Sequence, residues 1–281
     1  MKRHPVLLLA LCASVVAVAC KPGDPFGAPA PPAAPANGPA PQASAPPPAP
    51  RPAAALPSLR VGKVATGAIT VDGKLDEPAW KDCGTTGPLV SPMDGAPVPG
   101  SRVPAEFRVC ASDTFLYVAA LVKEKSPSSP FKRDEVDPHL WERSSAVEIM
   151  LQPGNPGDNK AYYEVQVDIM GAVWDTRFDD YNRPRGQGAN GAPTYGRQEW
   201  DAKTQRAIVV DDAAGQYTVE LAIPWTSLPS DRTAVPPKPG DVWRANFYSF
   251  RDGQRDSLAW SPLEGRGNFH FVPRFGQLVF Q

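Results

Sequence analysis

In DPHLWERSSAVEIML, residues 137–151, Trp141 sits between a His-Leu pair and a Glu-Arg pair, just ahead of an alternating apolar run. A large aromatic among charges has two possible uses: a part-exposed platform on which a ligand stacks, or a core residue whose loop happens to be charged. The adjoining Glu142, Arg143 and Ser144 are polar rather than core-patterned, which argues for a ring at least partly open to solvent. Glu148 interrupts the apolar residues Val147, Ile149, Met150 and Leu151, and strand alternation turns it away from the core side, where a binding site could use it.

Catalysis needs more than the chain supplies. Beyond the N-terminal His4, only His139 and His270 remain, far apart and with no cysteine or serine elbow near either, so no Ser-His-Asp or Cys-His trio can be argued. Neither histidine lies at zinc-ligand spacing from another His or Cys. Acidic residues are plentiful, but a carboxylate pair means glycoside hydrolysis only when a cleft presents it. The chain also leaves no room beside its main domain for a glycosidase barrel of about 250 residues. The segment DTRFDDYN offers Asp175, Asp179, Asp180 and Asn182 as hard oxygen donors, and Asp76-Glu77 offers more. Their spacing matches no EF-hand, and a structural calcium stands beside the plainer reading of a solvated hairpin loop and a helix cap. The expectation is a binding protein, not an enzyme.

The elements that must position these residues begin late in the chain. Lys2 and Arg3 precede an apolar run, Val6 to Ala19, too short to span a bilayer, which reads as a secretory signal over residues 1–19. It ends in Val16-Ala17-Val18-Ala19-Cys20, which resembles a bacterial lipobox and makes Cys20 the acylated anchor. Residues 20–57 then hold that cysteine and a stretch of almost pure Pro, Ala, Gly and Ser, from which no core can be built. In extended proline-rich geometry it could carry its cargo roughly 100 Å from the lipid. Lys21, not aspartate, follows the cysteine, which tilts the expectation to the outer membrane. The formal net charge of −1 argues for neither nucleic acid nor an anionic bilayer as main partner, and the domain is expected to be a monomer.

Residues 58–281 suffice for one large β domain. Of its strand candidates, GQYTVELAIP shows the alternation best, with Tyr217, Val219, Leu221 and Ile223 facing one way and Thr218 and Glu220 the other. The other candidates are 68–71, 105–111, 115–123, 146–152, 161–170, 172–178, 206–211, 242–251, 257–260 and 276–280. Short helical turns are expected at 76–83, with Asp76 as N-cap and Pro78 early in the turn, and at 224–228. About ten such strands suggest an all-β, antiparallel sandwich of Ig-like or jelly-roll-like type. Cys83 and Cys110 form an even pair in an oxidising compartment: a disulfide, or two small buried residues on neighbouring strands.

Four stretches in order resemble the family 9 carbohydrate-binding module and its relatives: ITVDGKLDEPAW at 69–80; LYVAALV at 116–122 leading into LWERSSAVEIML; YTVELAIPWTSL at 217–228; and WRANFYSFRD through LAWSP to RFGQLVF at the C-terminus. The resemblance implies a distorted Ig-like sandwich, non-catalytic sugar binding, frequent company of a glycosidase domain, and structural calcium. Most motif residues are assigned to the fold by their patterning: Asp72-Gly73 to a turn, Trp80 to a seal at one end of the sandwich, and Trp225, Trp243 and Trp260 to the core.

In sugar-binding members two tryptophans sandwich the ligand. The first is similar to Trp141; the second falls at Phe269 or His270, a Phe-His pair where Trp would stand. Ser145 and Ala146 occupy the ground of an acidic residue usual before the Val-Glu, and a sugar-binding arginine corresponds most nearly to Gln166. The pocket is partly rebuilt, so reducing-end specificity does not carry over. The resemblance and the residues together predict a carbohydrate-binding module on the cell envelope, with Trp141 as platform and Glu148, Gln166, Arg251, Phe269 and His270 around the sugar. Two alternatives stand beside it: a related haem-b domain drawing axial ligands from Met150, Met170 and His270, and an envelope scaffold that holds another protein by a sheet face.

Overall fold

The computed structural model describes residues 55–188, 191–266 and 268–281. The expected signal, Cys20 and nearly all of the linker lie outside them. The strands are β1 (Ser58–Lys63), β2 (Gly84–Thr85), β3 (Ala105–Ala111), β4 (Phe115–Val122), β5 (Ala146–Gln152), β6 (Lys160–Asp168), β7 (Val173–Asp180), β8 (Gly186–Gln187), β9 (Pro193–Thr194), β10 (Gly196–Arg197), β11 (Gln205–Asp211), β12 (Gln216–Pro224), β13 (Val242–Arg251), β14 (Asp256–Ala259) and β15 (Gly276–Phe280). One helical turn, α1 (Leu140–Arg143), joins 3-10 turns at Pro78–Lys81, Trp225–Ser227 and Val272–Arg274. No helix among the described residues is long and apolar enough to cross a membrane.

The strands run β10-β7-β6-β5-β13-β15-β1-β3-β4-β12-β11, with β14 against β13 and β2 against β3. This continuous path curls into two layers, and β1 is the seam. Ser58–Val61 pair in parallel with Gln277–Phe280 of β15, while Gly62 and Lys63 pair in parallel with Cys110 and Ala111 of β3. The expectation of an antiparallel sandwich is therefore corrected to a mixed one. A strand entering from the N-terminal side beside the last strand can run in the same direction, because no hairpin connects them.

Between the layers lies the core that the alternation predicts. Tyr217, Val219, Leu221 and Ile223 of β12 and Leu116, Val118 and Val122 of β4 face Val147, Ile149 and Leu151 of β5 and Tyr163, Val165 and Val167 of β6. Trp225, Trp243 and Trp260 join it, with Trp243 fully buried. Rings meet at its centre, where Phe107 stacks on Phe247 at 5.0 Å.

The outward face of β12 is not solvated as its pattern suggests. Glu220 is fully buried beneath the segment 64–83, where Trp80 packs on Val64, Ile69 and Tyr117. One Glu220 oxygen accepts from the Trp80 indole N–H at 3.0 Å, and the other accepts the backbone N–H groups of Asp72 at 2.9 Å and Gly73 at 2.7 Å. Gly73 holds φ +87° with Val209 Cγ2 only 2.6 Å from where a Cβ would stand, so the turn requires glycine. Residues 68–71, expected as a strand, belong to this loop. The N-cap of the 3-10 turn is Glu77 rather than Asp76, and no side chain caps it; Glu77 Oε1 instead accepts the Thr70 N–H. Cys83 and Cys110 lie next to this cover, disulfide-bonded with Cα atoms 4.7 Å apart.

Candidate functional site

The layer formed by β7, β6, β5 and β13 turns its second face away from the core, and register sets out side chains there in rows. Trp174, Gln166, Glu148 and Tyr248 lie side by side across the four strands; Thr176, Glu164, Met150 and Asn246 form the next row. Such a face needs cover, since Glu148, Glu164, Gln166 and Thr176 are each buried to within 2% of full burial. Part of the cover is apolar: Met150, Tyr162, Phe178, Tyr248, Val272 and Phe275 cluster together. The remainder is a cavity of about 720 Å³ with these polar groups at its floor and Trp141, Trp174, Tyr181, Phe269 and His270 around it, a size ordinary for small-molecule sites.

Trp141 is carried by α1, a single turn just before β5, rather than by the strand's own entrance. Leu140, fully buried beside Phe131 and Ala172, pins the turn and leaves Trp141 on its outer side. The indole is half-buried, stacked against His139 at 4.4 Å and meeting Trp174 edge-on at 4.9 Å. It thus stands at the rim of the cavity, outside the main core. On the opposite side Phe269 lies flat on Tyr248, with centroids 4.0 Å apart and planes within 3°, and its carbonyl accepts the Tyr248 hydroxyl at 3.1 Å. His270 stacks on Tyr181 at 4.3 Å and shares a 2.8 Å hydrogen bond with the Tyr162 hydroxyl through Nδ1. Burial pushes its pKa down to about 3, so the ring is neutral at physiological pH.

The floor is short of partners. The Gln166 amide donates to Glu148 Oε2 at 3.3 Å and to Glu164 Oε1 at 2.7 Å. Gln166 Oε1 and Thr176 Oγ1 have no hydrogen-bond partner among the described residues, whereas Glu148 and Glu164 share a hydrogen bond between their carboxyl groups, and Glu164 Oε2 also lies 3.7 Å from His270 Nε2. Burial, reinforced by the nearby Glu164 charge, raises Glu148 well above the ordinary carboxylate range. Burial likewise raises Glu164 to about 8. Near neutral pH the pair therefore keeps protons, and the floor presents O–H donors as well as acceptors.

Trp141, Glu148, Gln166, Phe269 and His270 are brought together; Arg251 is not. On β13 the residues facing the cavity side are Asn246, Tyr248 and Phe250, and Arg251 has the opposite parity. Its guanidinium instead pairs with the buried Glu124 at 2.7 Å and with Asp252 at 3.1 Å. The expectation for Arg251 is corrected accordingly. Glu164, Trp174, Thr176 and Tyr181 were not anticipated, although Glu164 is two positions before Gln166 and shares its face by alternation.

Asp175, Asp179 and Asp180, considered for calcium, have other partners. Asp175 accepts the Ala202 N–H at 2.9 Å, Asp179 pairs with Arg197, and Asp180 holds Asn182 at 2.8 Å and Lys160 at 3.5 Å. Among the described residues no group of three or more His, Cys, Asp and Glu side chains is placed to hold a metal ion. Of the residues considered for haem ligation, Met150 is buried in the aromatic cluster, whereas Met170 is half-exposed beyond the end of β6.

Residues 71–280 match the family model described as carbohydrate family 9 binding domain-like. No curated protein matches the chain at a significant level. Among solved structures, a candidate carbohydrate-binding protein from Bacteroides uniformis shares 20% identity at a TM-score of 0.60, covering 81% of this chain and 100% of its own. A family 9 carbohydrate-binding module from Caldicellulosiruptor kristjanssonii, solved with cellotriose, shares 16% identity at a TM-score of 0.51, over 79% of this chain and 93% of its own. At these identities the structural likeness carries the fold. With the family match spanning most of its length, the chain belongs to the carbohydrate family 9 binding domain-like family.

Proposed function

We propose that this protein is a non-catalytic carbohydrate-binding module that seats a pyranose unit in the cavity beneath Trp141 and is held at the cell envelope by an acylated Cys20. The observation that carries the reading is the floor: buried polar atoms of Gln166 and Thr176 without partners, beside the protonated Glu148–Glu164 pair and beneath an aromatic rim. A buried polar group left unpaired costs about 1–3 kcal/mol, so a ligand dense in hydroxyls suits this surface better than an apolar one. The C–H face of a sugar ring can lie on Trp141 while its hydroxyls meet the floor. Family membership supports the same class of ligand. Glu148 and Glu164 do not resemble a hydrolytic dyad, because both accept from one Gln166 amide on one wall, whereas glycoside cleavage places its carboxyl groups on either side of the scissile bond. The lipid anchor is supported by the Cys20 lipobox and the proline-rich stretch after it.

Titration calorimetry of the protein with glucose, cellotriose and a wider glycan panel tests the reading. Saturable binding of at least one glycan, lost in Gln166→Leu with the fold retained, is the expected outcome. If no glycan in the panel binds, or if Gln166→Leu binds as well as the parent, the assignment is wrong.

A further inference from the structure

A second cleft adjoins the sugar cavity, with Trp141 forming a wall of both. Its volume is about 700 Å³, and Arg102, Glu142, Arg143, Asp252, Gly253 and Arg255 complete it. The turn between β13 and β14 belongs to both spaces, since Gly253 lines the outer cleft and Gln254 the inner cavity. This turn packs closely on α1: a Cβ on Gly253 would lie 3.3 Å from the Glu142 carbonyl. One indole and one turn therefore separate two adjoining clefts that one oligosaccharide could occupy together.

Their chemistry differs. The outer cleft presents three guanidinium groups against two carboxylates, and both carboxylates are engaged: Glu142 with His139 Nδ1 at 3.1 Å, and Asp252 with Arg102 at 3.0 Å and Arg251 at 3.1 Å. Arg102 is held further by Asp256 at 3.0 Å. Arg143 and Arg255 make no ion pair with an acidic side chain among the described residues. Arg143 is held in place by lying over the Phe131 ring, 5.2 Å from its centroid. Arg143 and Arg255 are therefore planar, always-charged donors without a carboxylate partner among the described residues, and they favour an oxyanion, because a guanidinium fork matches a carboxylate or sulfate bidentately.

We propose that the preferred ligand is an anionic glycan, with one sugar unit in the inner cavity and a neighbouring unit, bearing a carboxylate or sulfate, against Arg143 and Arg255. The proposal rests on the carbohydrate-binding reading above and adds the charge class of the ligand.

Calorimetry on the full-length protein would compare oligogalacturonate, glucuronoxylan oligomers and sulfated galactan oligomers, each beside its carboxyl-reduced or desulfated counterpart. At least one anionic oligomer should bind about tenfold tighter than its neutral counterpart, as expected for charge-assisted hydrogen bonds. That margin should shrink in about 0.5 M salt, where exposed charges are screened. A preference confined to the uronates identifies a carboxylate ligand, and one confined to the sulfated galactan a sulfate ligand. In the double variant Arg143→Gln/Arg255→Gln the preference should vanish. Neutral and anionic oligomers binding equally well would overturn the charge assignment while leaving sugar binding intact. So would a preference that survives in the double variant. Absence of binding to every oligomer would instead remove the underlying reading and this proposal with it.

Discussion

Replacing Trp141 with alanine removes an indole that rests on His139 at 4.4 Å and meets Trp174 edge-on at 4.9 Å. Aromatic pairs of this kind contribute about 0.5–1.5 kcal/mol each. His139 is 59% exposed and Trp174 is itself part-exposed, so the pairs count toward the low end. The fold should therefore lose about 1–2 kcal/mol, or roughly 2–8 °C in melting temperature for a domain of this size. Trp243, fully buried at the centre of the core, supplies the internal reference: Trp243→Ala should cost about 3–5 kcal/mol. Glycan affinity should move in the opposite order. Losing a central aromatic anchor removes at least about 2 kcal/mol of binding, some thirtyfold, while Trp243→Ala should bind normally wherever it remains folded. Urea denaturation of both variants, paired with calorimetry on the best glycan of the panel, measures the two effects separately. The reasoning is refuted if Trp141→Ala destabilises as much as Trp243→Ala, or if it stays folded and binds like the parent.

Stability should fall between pH 6.5 and 8. Glu164, raised to about 8, with Glu220 and Asp175, raised to about 7, hold protons that the unfolded chain has released, so their contribution is present at low pH and lost as pH rises. The opposite contribution of His270, lowered to about 3, is complete by its unfolded value near 6.5. Glu164 alone accounts for roughly 1–2 kcal/mol over this window, and Glu164→Gln should flatten the slope in urea titrations at the two pH values; a stability that rises instead contradicts the burial assigned here. Glu220→Ala should cost about 3 kcal/mol or more by orphaning the Trp80, Asp72 and Gly73 donors, and a melting temperature unchanged from the parent would show that the 64–83 cover does not depend on it. The Cys83–Cys110 bond closes a separation of 27 residues and should contribute roughly 3–4 kcal/mol; mass spectrometry finding two free thiols in protein isolated without reductant would contradict it. Cys20→Ala should abolish acylation and partition into detergent, and retention of the variant in the membrane fraction would remove the proposed anchor.

Strands with clean period-two patterns were legible from residues alone. β3, β5, β13 and β15 begin and end where the sequence places them; in β3 and β15 one face is buried in the core and the other is part-exposed. β1 is invisible to alternation, because its two buried residues, Leu59 and Val61, directly follow a proline-rich stretch and its partners are the remote β15 and β3. The turn α1 is too short to show helical period, so the sequence reads Trp141 at a strand's mouth rather than on a turn. At the candidate site, strand alternation points to Glu148 and the polar flanks of Trp141 point to its ring, while the family likeness adds Gln166, Phe269 and His270. Arg251 failed on parity, a test that β13's own alternation could have supplied. Tyr181 lies in a loop whose approach to His270 depends on tertiary packing, and no local pattern announces it.

The seam strand also sets how the domain bears load. A module tethered through the residues preceding Ser58 is pulled at the start of β1, whose residues Ser58–Val61 pair in parallel with β15 and whose Gly62 and Lys63 pair in parallel with β3. Force along that strand shears its ladder bonds together instead of peeling them in succession. Pulling from that end therefore loads both short ladders in shear rather than in unzipping.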